Sequence, residues 1–399
     1  MADTPWLTIV GIGEDGAAGL SASAKAALAD AELVTGATRH LALLPDLKCA
    51  VMPWPVPFDL GLPRLLEYRG RRVVMLASGD PFWFGAGTSV TRQLEPGEWV
   101  AYPSPSTFGM AASRLGWAIE DTACLGLHAA PFTRLRSHAA PNRRAIVLVR
   151  DGEAVGDLCR YLDGLGFGAS RVHVLEALGG ERERIRETAA AAGVFADIVH
   201  PVAVGILFAG DGSVLPQTSG VPDIWFDHDG QITKSPIRAL TLSALAPRAG
   251  ELLWDIGAGS GSIGIEWLLS HASTQAIAFE ADPTRAARVR ANAMALGVDR
   301  LHVVEGRVPE ALEGHAKPDA IFVGGGLSDD LLARLFSTPG SGTRLVANAV
   351  TLESEALLTR WHGSKGGSLL RVELSDAVPL GTRRGWRARY PVVQWSVTL

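Results

Sequence analysis

The chain has 399 residues, which is too many for one ordinary domain, and 47% of them are hydrophobic while 20% are charged. This balance excludes a disordered chain and is typical of a globular protein with two or three separate cores. The 37 basic and 42 acidic residues give a net charge of −5 without long runs of one sign. Such a balance argues against a protein that coats DNA or RNA.

The cysteines, the N-terminal residues and the apolar runs further restrict the class of protein. Cys49, Cys124 and Cys159 are far apart, so we expect neither a disulfide framework nor a cysteine-based zinc site, and we expect a reducing compartment. We name no metal ligands. Residues 1–5 lack a basic stretch followed by an apolar one, so no signal peptide is expected. The best apolar run, 202–209, has the length of a strand and is too short to span a membrane. These features predict a soluble, cytoplasmic protein of several domains.

The first half of the chain alternates strand and helix patterns. A strand-like run at 6–10 leads into a glycine-bearing turn at 11–16, and an alanine-rich helix follows at 21–31 with Ser21 as its N-cap. This alternation is typical of an α/β fold with mostly parallel sheets. Further strands are predicted at 72–77, 145–149, 172–175 and 202–209.

A segment rich in turn-forming residues separates two halves that do not repeat each other. Glycine, proline, serine and threonine crowd into 210–222 without an apolar period. We therefore predict a domain over 1–209, a linker over 210–222 and a second domain over 223–399. The first domain would consist of two lobes, at about 1–102 and 111–209.

A second α/β pattern follows this linker. It begins with a strand at 251–256, a glycine-rich turn at 257–261 and a helix at 263–270. The following predictions are a strand at 276–279, a helix at 283–296 ended by Gly297, strands at 301–304, 320–323 and 343–347, and a β-rich end at 392–398 that would close the sheet in a hairpin.

The glycine-rich turn has a spacing that points to a ligand. Asp255 precedes Gly257, Gly259 and Gly261, and Glu280 ends the next strand 19 residues after Gly261. Glycines let a ligand approach the backbone closely, and the second acid lies where a ribose diol would be bound. The leading acid would repel the pyrophosphate of a dinucleotide and suits the cationic S-adenosylmethionine. A plain tight turn between strand and helix is the simpler alternative.

The second half resembles the precorrin-8w decarboxylase/methyltransferase family of cobalamin biosynthesis. The resemblance rests on 220–223, on 232–238 with its Thr-Lys pair, and on the Phe-Val-Gly-Gly-Gly segment at 322–326. It covers about 220–399 and implies a Rossmann-like class I methyltransferase fold. With the glycine motif, it places the following residues around S-adenosylmethionine: Thr233, Asp255, Gly257, Ala258, Gly259, Ser260, Gly261, Glu280 and Gly306.

The first half resembles the tetrapyrrole methylase family. Its three motifs occur in the family's order at 11–13, 77–81 and 103–109, and the resemblance covers about 6–209. It implies two α/β lobes with S-adenosylmethionine in the cleft between them. Ser106 and Thr107 have an alternative role in capping a helix at 108–115. The residues implied to bind the methyl donor are Gly11, Gly13, Ser78, Gly79, Asp80, Ser106 and Thr107.

The first of these motifs departs from the family pattern. Glu14 and Asp15 stand where the family usually has proline and glycine. If these two acids close the loop, the first half would hold substrate without binding S-adenosylmethionine. The chain would then have one donor site instead of two.

Together the two resemblances imply an enzyme of corrin-ring assembly with two S-adenosylmethionine sites. Its reaction would methylate a precorrin (precorrin-6B/6Y) at C5 and C15 and remove CO₂ from the C12 acetate, giving precorrin-8x. The enamine carbons of a reduced tetrapyrrole are nucleophilic, so methyl transfer needs alignment more than a strong base. The resemblance also implies a homo-oligomer.

The sequence identifies no catalytic acid or base. The histidines of the second half are candidates, but an isolated histidine is more often structural. They are His228, His271, His302 and His315.

Arginines near the C-terminus are candidates for binding the carboxylates of a polyacid. They either grip propionates or lie on a solvated sheet edge. Lys234 and Arg238, four residues apart, either reach substrate from one helix face or balance the acidic surface. The C-terminal cluster comprises Arg383, Arg384, Arg387 and Arg389, which flank Trp386.

Three other functions remain open from the residues alone. They are a nicotinamide dehydrogenase, an S-adenosylmethionine-dependent methyltransferase acting on RNA or another small molecule, and a binding module without catalysis. The acid-led glycine motif argues against the first, the absence of a basic domain or tail argues against RNA, and two donor motifs argue against the third. We expect a small-molecule tetrapyrrole partner, no nucleic acid and no membrane.

Overall fold

A computed structural model describes residues 5–337, 340 and 342–399. Residues 1–4, which belong to the stretch without a signal-peptide pattern, lie outside the described residues. The chain forms two compact units: Met1–Phe132 with His138–Ser213, and Thr133–Ser137 with Val214–Leu399. Within the described part of the chain, no helix is long and apolar enough to cross a membrane.

The first unit begins with a parallel sheet of five strands in the order β3-β2-β4-β1-β5. Its central strands are almost entirely buried, as expected for a parallel sheet covered on both faces. Ser21 caps α1 by accepting a hydrogen bond from the Ala24 N–H, which confirms the predicted N-cap. The strands are β1 (Leu7–Ile12), β2 (Leu33–Gly36), β3 (Ala50–Pro53), β4 (Val73–Ser78) and β5 (Trp99–Tyr102). The helices are α1 (Ala22–Asp30), α2 (Thr38–Ala42), α3 (Gly61–Leu66) and α4 (Ala86–Thr91).

The second sheet of this unit departs from the parallel arrangement that the sequence predicts. Its order is β6-β7-β10-β8-β9, and β10 runs antiparallel to both β7 and β8. The cause is the connection from β8 to β9, which is a short turn without a crossover helix and therefore reverses the chain. The strands are β6 (Thr122–Gly126), β7 (Arg144–Leu148), β8 (Arg171–Glu176), β9 (Arg184–Ala189) and β10 (Val202–Leu207), with helices α5 (Thr107–Leu115) and α6 (Gly152–Gly164).

The second unit is built on a seven-stranded sheet in the order β13-β12-β11-β14-β15-β19-β16. Strands β11 to β15 are parallel, and β19 pairs antiparallel with both β15 and β16, so the last strand lies inside the sheet. The strands are β11 (Leu252–Ile256), β12 (Gln275–Glu280), β13 (His302–Glu305), β14 (Ala320–Val323), β15 (Arg344–Ala349), β16 (Ser368–Val372) and β19 (Val392–Thr398). The helices are α7 (Ser235–Leu245), α8 (Ser262–Ser270), α9 (Pro283–Ala295), α10 (Asp329–Ser337) and α11 (Leu352–Lys365).

A separate hairpin stands between β16 and β19. Its strands, β17 (Ser375–Leu380) and β18 (Arg383–Ala388), pair only with each other among the described strands. Trp386 on this hairpin is 79% exposed. The predicted arginine cluster therefore lies largely on an exposed two-stranded ribbon.

Strand order places a crevice at the carboxyl end of β11. The chain passes from β11 to β12 and β13 on one side, and then crosses to β14 and β15 on the other. Segments that leave neighbouring strands in opposite directions open a gap in which α/β proteins bind ligands. Two apolar cores, one on each face of this sheet, hold the strand ends in place; they include the fully buried Trp254 and Trp267.

Candidate functional site

A cavity of about 760 Å³ lies at this crevice in the second unit. Its walls come from the loops after the parallel strands, from the segment before α7 and from the chain on either side of the β17–β18 hairpin. Asp255 and Gly261 are not among its lining residues, although the sequence places them at the ligand. The predicted residues that do line it are Thr233, Gly257, Ala258, Gly259, Ser260, Glu280 and Gly306.

Two positions of the turn, 257 and 259, require glycine for different structural reasons. Gly257 has φ +68°, and a Cβ there would lie 2.5 Å from the backbone of Gly325, so this glycine lets two loops approach each other. Gly259 has φ +61°, and the nearest atom to a Cβ there would be the Gln231 carbonyl oxygen at 3.8 Å. The backbone of Gly259 is thus accessible from the cavity, as close ligand approach requires.

Glu280 is fixed at the edge of the cavity by the backbone. Its Oε2 accepts a hydrogen bond from the Gly259 N–H at 2.8 Å, and its Oε1 accepts one from the Asp282 N–H at 3.0 Å. A carboxylate oxygen has more than one lone pair, so each can accept another hydrogen bond. This arrangement suits a ligand with two neighbouring hydroxyl groups.

Asp255 lies beneath the glycine turn, away from the cavity wall. It is 1% exposed, its Oδ2 accepts a hydrogen bond from the Gly264 N–H at 2.9 Å, and its Oδ1 has no partner among the described residues. Burial raises the pKa of Asp255 to about 7; the hydrogen bond opposes this shift and the charge of Glu280 adds to it. Asp255 can therefore act on a ligand only through its charge and through the loop that it supports.

Changing Asp255 to asparagine should remove a pH-dependent cost to stability. The pKa rises from 3.8 to about 7 on folding, so the folded state holds the proton more tightly, and stability falls as pH rises through this range. Asparagine retains an acceptor for Gly264 and has no charge. The difference in the free energy of unfolding between the variant and the unchanged protein should therefore shift by about 3 kcal/mol in favour of the variant from pH 5 to pH 8. Calorimetric melting at both pH values measures this gain, and an equal difference at both would contradict it.

The segment before α7 is held against the cavity by a buried arginine. Arg238 is fully buried, and it donates to Glu266 Oε1 at 2.6 Å and to Asp223 Oδ1 at 2.9 Å. It also donates to the carbonyl oxygens of Val221 and Thr233. The prediction that Arg238 reaches substrate or the surface is wrong, because its side chain is directed into the core.

The candidate histidines do not lie at the cavity. His228 and His271 accept hydrogen bonds from nearby backbone N–H groups in local turns. The ring of His315 contacts the ring of Phe279. None of the described residues that line the cavity is a histidine. The lining residues include Lys234 and Tyr390, whose ammonium and phenol groups carry protons that can be transferred.

The first unit has its own cavity, of about 650 Å³. Gly11 is not among its lining residues: a Cβ there would lie 1.9 Å from the Gly79 carbonyl oxygen, so Gly11 serves a close backbone crossing. Ser106 lines the cavity and also caps α5 by accepting from the Gly109 N–H at 3.0 Å. The predicted residues at this cavity are Gly13, Ser78, Gly79, Asp80, Ser106 and Thr107.

Glu14, the first of the two departures from the family motif, is neutralised by arginines. Its carboxylate forms ion pairs with Arg39 and with Arg182, the latter at 3.0 Å, and its side chain is 7% exposed. The Asp15 carboxylate lies so close to Gly19 that a Cβ at position 19 would clash with it. The cavity persists with both acids in place.

Two residues at the first cavity were missed by the sequence reasoning. Arg39 donates to Ser78 Oγ at 3.0 Å, and Ser78 Oγ lies 2.9 Å from His40 Nε2. Burial, with the charge of Arg39, lowers the pKa of His40 to about 4, so this imidazole is neutral. The available signal was a basic pair in the first turn of α2, the helix that follows β2 at the edge where parallel strands end.

Metal ligands do not cluster in the described part of the chain. No group of three or more histidine, cysteine, aspartate or glutamate side chains there could hold a metal ion.

Comparison with known proteins relates both halves to enzymes that act on tetrapyrroles. Residues 6–192 match the family model described as Tetrapyrrole (Corrin/Porphyrin) Methylases, and residues 224–399 match the model described as Precorrin methyltransferase domain. A Sinorhizobium sp protein named Precorrin-6Y C(5,15)-methyltransferase [decarboxylating] is 48% identical, covering 99% of this chain and 97% of its own.

Two further relatives carry the same name or part of it. A Mycobacterium tuberculosis (strain CDC 1551 / Oshkosh) protein of the same name is 41% identical, over 98% of this chain and 99% of its own. The crystal structure of the C-terminal domain of precorrin-6Y C5,15-methyltransferase from Rhodobacter capsulatus is 50% identical; it covers 46% of this chain and 100% of that domain, with a TM-score of 0.45.

Proposed function

Since the chain belongs to the family of decarboxylating precorrin-6Y C(5,15)-methyltransferases, we propose that it methylates a precorrin at C5 and C15 and removes the carboxyl group of the C12 acetate, giving precorrin-8x. The first unit would serve C5, and the second unit C15 and the decarboxylation. The observation that carries this proposal is that each unit has a cavity lined by its own glycine motif.

The second cavity wall fits S-adenosylmethionine. Glu280 would accept hydrogen bonds from the ribose hydroxyls, and the open backbone at Gly259 would allow the ligand to approach the turn. The Glu280 carboxylate on the wall would make this end of the cavity favourable for a cation. When bound, S-adenosylmethionine supplies an electrophilic methyl group on a sulfonium.

In the first unit, the loops after β1 and β4 and the start of α5 would hold a second molecule of the donor. Gly13, Gly79 and Thr107 line this cavity, so their backbone and hydroxyl groups are available to a ligand. The Arg39–Glu14 pair keeps the loop after β1 from presenting an unbalanced carboxylate. We therefore include two donor sites in the proposal, and the homo-oligomer stays a prediction.

The chain's contribution to catalysis would be alignment more than acid–base chemistry. Holding a nucleophilic meso carbon in line with a sulfonium methyl lowers the barrier by roughly 7–11 kcal/mol. Loss of CO₂ places an electron pair on the carbon next to the ring, and a protonated imine of the macrocycle accepts it. In the second unit, Tyr390, which lines the cavity, would return a proton to that carbon.

Calorimetric titration of the full chain with S-adenosylmethionine tests the two-site proposal. We expect two molecules bound per chain. In the variant Gly79→Val we expect one, because Gly79 has φ +49° and a Cβ there would lie 3.0 Å from the Pro105 carbonyl oxygen. Retained binding at the second site is the internal control for folding. A stoichiometry of one in the unchanged protein would contradict the two-site proposal.

A further inference from the structure

A second cavity of the second unit adjoins the proposed donor site. It has a volume of about 810 Å³ and shares Lys234, Arg389 and Tyr390 with the donor cavity. We propose that it is the subsite for the side-chain carboxylates of the substrate, with Lys234 and Arg387 as the residues that hold them. This inference rests on the proposed function, since it names the contacts of the polyacid that the function requires.

The two carboxylates in this cavity are already bound by other groups. Asp376 accepts two hydrogen bonds from the Arg389 guanidinium, both at 2.6 Å. Asp223 accepts from Arg238 at 2.9 Å and from the Ser235 N–H at 3.0 Å. The hydrogen bonds of both carboxylates therefore come from groups other than Lys234 and Arg387, which interact with Asp223 and Asp376 only electrostatically.

Two cations in the same cavity, Lys234 and Arg387, make no hydrogen bond to these carboxylates within the described residues. Within the described residues the Arg387 guanidinium forms no hydrogen bond or salt bridge, and its charge lowers the pKa of Asp376, its register partner across the hairpin, through space alone. Lys234 Nζ forms an ion pair with Asp223 Oδ2 at 3.6 Å, which is beyond hydrogen-bond distance, and the Lys234 side chain is 42% exposed. An arginine fork and an ammonium group are suited to binding carboxylates, the arginine through two parallel hydrogen bonds.

The geometry also separates the arginine cluster into two groups. Arg387 and Arg389 line the subsite, whereas Arg383 and Arg384 lie on the same hairpin and line neither cavity of this unit. Tyr390, which is 89% exposed, lies at the boundary of the two cavities. Its ring offers a face for a flat conjugated macrocycle whose acid groups reach the subsite.

Equilibrium binding of the precorrin substrate to the full chain, followed by the absorbance of its macrocycle, tests this assignment. We expect Arg387→Met and Lys234→Met each to weaken substrate binding roughly tenfold to a hundredfold, the loss typical of a charge-assisted hydrogen bond. Arg383→Met is the matched control and should bind as the unchanged protein does. In Arg387→Met, the affinity for S-adenosylmethionine measured by calorimetry should change less than about twofold, because Arg387 does not line the donor cavity.

A substrate analogue with methyl esters in place of the carboxylates completes the test. It should bind weakly to the unchanged protein and no more weakly to Arg387→Met, because the partner of the guanidinium is absent. Unaltered precorrin binding in both variants, or an equal loss in Arg383→Met, would overturn the subsite. Absence of precorrin binding and turnover in the unchanged protein would instead contradict the proposed function itself.

Discussion

Replacing Glu280 by glutamine is expected to weaken S-adenosylmethionine binding at the second unit by roughly a hundredfold or more. Both side-chain oxygens already accept backbone hydrogen bonds, from Gly259 and Asp282. An amide nitrogen cannot accept, so the variant must lose one of these loop bonds. It also loses the negative charge and one of the two acceptors available to the ribose. Calorimetry on the full chain should then report a single tight site.

Glu305→Gln is the matched control for this change. Glu305 is the register partner of Glu280 on the neighbouring strand, but it is exposed, pairs with Arg290 and does not line the cavity. We expect this variant to bind two molecules with the affinities of the unchanged protein. If Glu280→Gln also bound two molecules tightly, Glu280 could not be a ribose ligand.

The sequence predicts the parallel parts of the fold well because their signals are local. An apolar run followed by a glycine-rich turn marks the β11–α8 unit, and the observed β11 and α8 begin within one residue of their predicted starts. The antiparallel position of β10 could not be predicted in this way. Its run is as apolar as a parallel strand because it is buried between two neighbours, and direction depends on the β8–β9 turn.

The same distinction holds for the sites. Glycine positions and the acid at the end of β12 follow from chain order, because parallel strands end at one edge of a sheet. The burial of Asp255 and the core position of Arg238 depend on residues distant in sequence, such as Glu280 and Asp223. No local pattern distinguishes a carboxylate on a cavity wall from one beneath it.

Replacing Arg238 by methionine should be strongly destabilising for the second unit. Arg238 is fully buried and links Glu266 and Asp223, and Glu266 Oε2 also accepts from the Gly220 N–H at 2.6 Å. Burial raises the pKa of Glu266, which shows how costly its charge is once the arginine is absent. Loss of one partner of a buried ion pair costs about 3–5 kcal/mol. For a unit of this size, the melting temperature should fall by roughly 10 °C.

Two variants distinguish the ion pair from a general packing effect. Arg360→Met, at an exposed pair with Asp329, should change stability by less than about 1 kcal/mol. Adding Glu266→Gln to Arg238→Met should recover part of the loss, because glutamine has no charge and keeps an acceptor for the Gly220 N–H. Equal melting temperatures for the single and double variants would show that the buried charge is not the cause. Since Arg238 also donates to the Thr233 carbonyl oxygen, weaker donor binding should accompany its loss even below the melting transition, because Thr233 lines the donor cavity.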